Sequence, residues 1–181
     1  MKKYLDWTLK NIRKSDNFSW MEERRLEWVP LAISRLQTIL EGKTFIVLTD
    51  PQREWFSSYM LSSINSHVNK RPFLPFVDLK TFFPNLGSLK NAEDIDLLED
   101  LLNISFPNGY VFFYVGQSNN FNFQIAKKRD DSFMWILDEY IQNSFFLSLK
   151  DKDLDLKLIQ LYKLLDKTID VLLFPEELEK Q

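Results

Sequence analysis

Cysteine is absent from this 181-residue chain, which excludes disulfides, thiolate metal sites and cysteine nucleophiles. Histidine occurs once, as His67, so a metal centre would have to be assembled almost entirely from carboxylates. Glycine occurs four times, and none lies where the turn after the first predicted strand would need it to wrap a phosphate. Positive charge is not in surplus either. A formal net charge of −3 and a pI near 5.3 remove the general attraction that nucleic-acid binders carry. No apolar run approaches the roughly 18 residues of a membrane span, and Asp6 interrupts the N-terminus before a signal-peptide stretch can form. The composition predicts a soluble, cytoplasmic protein, and the length predicts a single domain over 1–181 that buries roughly 70% of its unfolded surface. Aromatics are abundant instead. Sixteen Phe and five Trp exceed what one small core needs, so some are expected at subunit contacts.

The chain is organised around residues 42–66, which read as turn, strand, corner and helix. Thr44, Phe45, Ile46, Val47, Leu48 and Thr49 form a run without alternation, as in a parallel strand buried on both faces. Asp50 then stands where it can cap a helix whose first residue is Pro51, a position with no use for the N–H that proline lacks. In open α/β sheets this is where ligands bind, at glycine-rich turns opening onto helix N-termini. Here the turn is Thr49-Asp50-Pro51-Gln52-Arg53. Asp50 places negative charge where an anion would sit, and Pro51 removes a donor. The architecture of a phosphate site is predicted without its chemistry.

Helical spacing of Leu5, Leu9 and Ile12 predicts a helix over 4–16, and Ser19 with Glu22 suggests a capping box opening a second helix that runs to Glu41, kinked or split at Pro30. After the helix over 51–66, a strand over 73–79 carries Pro75, which argues for an edge position. Residues 81–91 read as loop and 92–103 as a short acidic helix. A third strand covers 110–115, followed by a short helix over 121–128. Residues 132–137 and 144–149 read as strands four and five, with one helix across 133–149 as the alternative. An amphipathic helix over 154–173 stops at Pro175. Crossover lengths fit parallel pairing, and the fold class is α/β.

Candidate chemistry is sparse. His67 reads as a surface or capping histidine. Asp50 and Asp78 both follow strands and could face each other as paired carboxylates, although capping alone accounts for Asp50. Lys127-Lys128-Arg129 could touch a phosphate backbone, but Asp130 and Asp131 follow at once and favour a solvated turn. Thr49, Asp78, Gln117, Ser118 and Asn119 are positioned to line a residual polar pocket. No motif for nucleophilic catalysis, metal or cofactor binding is present.

Several short segments carry a resemblance. Glu41-Gly42-Lys43, Lys70-Arg71-Pro72-Phe73-Leu74-Pro75 and Asp170-Val171-Leu172-Leu173-Phe174-Pro175 resemble the DiaA family, whose members have a sugar-isomerase (SIS) type fold and assist the replication initiator DnaA. Tyr4-Leu5-Asp6-Trp7, Arg53-Glu54-Trp55-Phe56, Phe133-Met134-Trp135-Ile136-Leu137 and Gln160-Leu161-Tyr162-Lys163-Leu164 are more similar to the HobA family, its epsilonproteobacterial counterpart, and this likeness runs over nearly the whole chain. The resemblance implies a three-layer α/β/α sandwich around a five-stranded parallel sheet of order 2-1-3-4-5, SIS-like or flavodoxin-like, with the N-terminal helices 2–41 in oligomer contacts. It further implies a non-catalytic homotetramer without cofactor that binds the N-terminal region of DnaA and meets DNA only through it. The implied partner-binding residues are Arg71, Pro72, Leu173 and Phe174. Sugar-phosphate binding or isomerisation is the alternative, which the glycine-free turn at 49–53 opposes.

Overall fold

The computed structural model describes residues 1–178. Five parallel strands form one sheet in the order β2-β1-β3-β4-β5: β1 (Thr44–Thr49), β2 (Phe76–Asp78), β3 (Tyr110–Gly116), β4 (Phe133–Ile136) and β5 (Phe145–Phe146). The long central pair sets the register, with Thr44 opposite Tyr110 and Thr49 opposite Val115. Both faces of this pair are dry. Phe45, Val47, Val111, Phe113 and Val115 point into one core, while Ile46, Leu48, Tyr110, Phe112 and Tyr114 point into another. That division explains the unalternating sequences of β1 and β3, since each residue has an apolar layer to face.

One layer consists of α1 (Lys2–Arg13), α2 (Met21–Leu36), α3 (Glu54–Ile64) and α7 (Leu154–Leu173). The opposite layer holds α4 (Leu79–Phe82), α5 (Ala92–Ser105) and α6 (Phe121–Lys127). Much of the aromatic surplus lies inside: Trp28, Phe56, Phe113, Phe133 and Trp135 belong to the larger core, with Phe113 in edge contact with Trp135. Two caps are built as their residue types suggest. Asn91 and Asp94 form a reciprocal capping box on α5, and Asn120 accepts from the Phe123 N–H at the start of α6.

The structure corrects the sequence reading at several ends. Trp20, not Ser19, precedes α2, and no side chain caps that helix. Pro30 lies inside α2 without splitting it, on an exposed side of the helix that also carries Leu26 one turn back. The helix ends at Leu36 and a 3-10 turn covers Gln37–Ile39. Residues 51–66 divide into a 3-10 turn, Pro51–Arg53, and α3. Strand β2 starts only after Pro75 and lies at the sheet edge, so the ring never has to enter the ladder. Residues 79–88, read largely as loop, hold α4 and a 3-10 segment. Residues 133–149 are two short strands rather than one helix. Trp135 and Ile136 pair in parallel with Phe145 and Phe146 across a crossover that contains no helix.

Candidate functional site

The sheet changes direction between β1 and β3, and the crevice beyond their carboxyl ends is where an α/β ligand site belongs. The protein fills this point with its own residues. Asp50 is buried, and its Oδ2 accepts from the Gln117 N–H at 2.8 Å while lying 3.4 Å from the Arg53 guanidinium. The carboxylate thus ties the end of β1 to the end of β3 instead of capping α3. Gly116 is required by this closure: a Cβ there would lie 2.7 Å from the Tyr114 hydroxyl and 2.8 Å from the Asp50 backbone nitrogen. Tyr114 donates to the Gln117 carbonyl and accepts from Asn120, and burial raises its pKa, so it serves as a neutral phenol.

Beside this closed point a hollow of about 210 Å³ is lined by Thr49, Glu54, Ser57, Ser58, Asp78, Lys80 and Asn122. Its single lysine is held 2.8 Å from Glu54. Two carboxylates against one paired cation make a poor seat for a phosphate. Asp78 turns to α4, where it accepts from the Lys80 N–H and the Thr81 hydroxyl, so Asp50 and Asp78 are engaged separately and form no acid/base pair. Thr49 and Asp78 do share the hollow, whereas Ser118 is drawn away by hydrogen bonds to Asp138. The basic run is absorbed into the fold as well: Lys128 pairs with Asp96, and Arg129 pairs with Asp131 while stacking on Tyr110. His67 is exposed in the turn after α3.

A second locality lies where the loop between α3 and β2 meets the end of α7. Arg71 enters this junction with its side chain only 3% exposed. Its guanidinium pairs with Asp166 and Asp170 and donates to the carbonyls of Asp166 and Ile64. Burial would lower its pKa, but the hydrogen bonds to the two carboxylates outweigh that and leave it raised. Asn65 completes the clamp by exchanging two hydrogen bonds with the Leu74 backbone. Arg71 and Phe174 line one small hollow with Val68, Lys70 and Asp170. Pro72 is exposed at its margin, and Leu173 is half-buried against the main core. Residues 100 positions apart in the chain are therefore brought to one corner.

Sequence reasoning missed two features of that corner. Phe73, assigned to the first position of a strand, is 79% exposed beside Pro72 because β2 begins three residues later. The destination of the Arg71 charge was also missed, although Asp166 and Asp170, spaced four apart on one helix face, form a recognisable seat for a cation.

The family model for HobA, a DNA replication regulator, matches residues 1–178. The chain belongs to the HobA family. A HobA replication regulator from Helicobacter pylori is 28% identical over 181 residues, covering 96% of this chain and 97% of its own length. A crystal structure of a HobA–DnaA (domain I-II) complex from Helicobacter pylori matches with a TM-score of 0.74 at 27% identity, covering 97% of this chain and 98% of that one. A phosphoheptose isomerase from Francisella tularensis matches 78% of this chain and 82% of its own with a TM-score of 0.51 at 12% identity, a likeness of fold alone. The SIS-like architecture and the HobA assignment thus agree with the sequence resemblance. No described helix is long and apolar enough to cross a membrane.

Proposed function

We propose that this chain is a non-catalytic adaptor of the bacterial cytoplasm that binds the N-terminal region of DnaA and gathers several copies of the initiator. The observation that carries the proposal is the near full-length match to a HobA chain solved together with DnaA domains I-II. The crevice supports it from the chemical side. Its switch point is closed by Asp50 and Arg53, and the adjoining hollow is acidic, so the phosphosugar alternative has neither the glycine turn nor the positive field it needs. In this reading 1–181 forms one domain and assembles as a homotetramer. The exposed Leu26 and Leu40 of the N-terminal 2–41 segment contribute to subunit contacts. Tetravalency is the mechanism: holding several weakly bound DnaA molecules together raises their effective concentration, and DNA is met only through them.

The docking corner comprises Arg71, Pro72, Leu173 and Phe174, joined by Phe73. Arg71 acts as a positioning residue, because its guanidinium is engaged by Asp166 and Asp170. Apolar anchorage falls to Phe73 and Phe174, the large side chains accessible there. The test is size-exclusion chromatography with light scattering, on the chain alone and mixed with the N-terminal fragment of its own organism's DnaA. The expected result is a tetramer that co-elutes with several fragments and loses them on Phe174→Ala or Phe73→Ser while keeping its mass. A monomer that ignores the fragment would overturn the proposal.

A further inference from the structure

Helix α5 carries a surface that none of the foregoing uses. At 3.6 residues per turn, Leu97, Leu101 and Ile104 fall in one narrow stripe. All three are exposed, Leu97 by 68% and Ile104 by 81%. The buried side of the same helix, made by Ile95, Leu98 and Leu102, lies roughly 130° round the axis, so the stripe is not a fringe of the core. The helix therefore presents two apolar faces, one of which the fold covers. Exposed Glu93 and Asp100 run along one side of the open stripe, together with Asp96, which pairs with Lys128, and the helix itself contains no lysine or arginine.

We propose that this stripe is the docking face for an amphipathic helix of a partner protein whose apolar residues are flanked by lysine or arginine. An apolar seam with an acidic border is complementary to such a helix in both shape and charge. A second copy of this chain fits poorly, because antiparallel pairing of α5 with itself would bring two acidic borders together. An anionic bilayer is repelled for the same reason. The face belongs to the layer opposite α7, so it is separate from the Arg71 corner and independent of the DnaA reading.

The test uses the full chain, isotope-labelled for amide NMR, and two synthetic peptides with the same leucine stripe, one flanked by lysines and its twin by glutamates. The lysine peptide should move amides along 92–105, weaken with added salt, and bind at least about tenfold more tightly than the glutamate twin. Ile104→Asp should weaken it about tenfold or more, and Asp100→Lys should weaken it and flatten its salt dependence. Leu97→Ser provides a milder change on the same stripe should the charged variant fail to fold. Equal binding of both peptides, no binding, or shifts confined to other elements would overturn the proposal. So would a fall in the chain's own mass on Ile104→Asp, which would assign the face to a second copy.

Discussion

Replacing Arg71 by alanine removes the buried cation that pairs with Asp166 and Asp170 at the junction of the α3–β2 loop and α7. The carboxylates it leaves behind are not equally hidden: the Asp166 side chain is 24% exposed and that of Asp170 is 37% exposed. Breaking a fully buried ion pair by deleting one partner costs about 3–5 kcal/mol. Partial access to water at both acids reduces this to about 2–3 kcal/mol, including the Ile64 and Asp166 carbonyls that lose a donor. In a chain of this size each kcal/mol moves the melting temperature by about 2–4 °C, so differential scanning calorimetry should record a fall of roughly 4–12 °C at neutral pH. The deficit should also depend on pH. Burial holds the Asp166 carboxyl above the usual carboxylate range even with Arg71 beside it. A folded-state pKa above the unfolded one makes a contribution that is fully present below the unfolded value and lost as pH rises through the folded value. Without Arg71 the Asp166 pKa climbs further, so the loss is greatest near neutrality and shrinks as pH falls towards about 4. A variant within about 0.5 kcal/mol of its parent, or a deficit unchanged between neutral and acid pH, would refute the account of Arg71 as a structural clamp.

Two further substitutions probe the closed switch point. Gly116→Ala drives a methyl group against the Tyr114 hydroxyl and the Asp50 backbone, and should lower stability in urea by about 1–3 kcal/mol; an unchanged midpoint would show that the strand ends can separate without loss. Asp50→Ala strands the buried Arg53 guanidinium and the Gln117 N–H, with an expected loss of about 3 kcal/mol or more, whereas Asp50→Asn keeps an acceptor and should lose less. Neither Asp50 variant should gain affinity for phosphosugars in titration calorimetry, because Glu54 and Asp78 still line the hollow; a measurable gain would mean that Asp50 alone excludes them.

The central strands were legible because nothing competes with an unbroken apolar run in mid-chain: β1 has the predicted bounds, and β3 extends them by one residue to Gly116. Helix α7 was legible through its long apolar stripe and the proline beyond it. The edges were harder. In β2 and β5, two or three paired residues suffice because an edge strand is held on one side only, and so short a ladder leaves no periodic trace. The cap predicted for Asp50 failed for a different reason. Its side chain is closer to satisfaction across the sheet, at Gln117, than along its own helix, and a partner 67 positions away does not appear in any local pattern. The same residue still disfavours an anion at this turn without the cap: a carboxylate in a glycine-free turn opposes an anion whichever hydrogen bond it makes.

The Arg71 corner separates two questions that an alanine scan would merge. Loss of DnaA binding in Arg71→Ala could follow either from a missing contact or from a corner that has come apart. The guanidinium spans α3, the loop and α7 at once, and Phe174 reaches the shared hollow from the end of that same α7. Phe73 and Phe174 do not share the ambiguity in equal measure. Phe73 is mostly in water, so Phe73→Ser should leave stability within about 0.5 kcal/mol of the parent, and any lost binding must come from the surface itself. Phe174 is half-buried and its alanine variant tests both. If Phe73→Ser retains full binding while Arg71→Ala and Phe174→Ala lose binding in proportion to stability, the corner is a structural joint and the partner surface lies elsewhere on the molecule. If Phe73→Ser loses binding with its melting curve unchanged, the corner is the interface and Arg71 is the residue that holds it in shape.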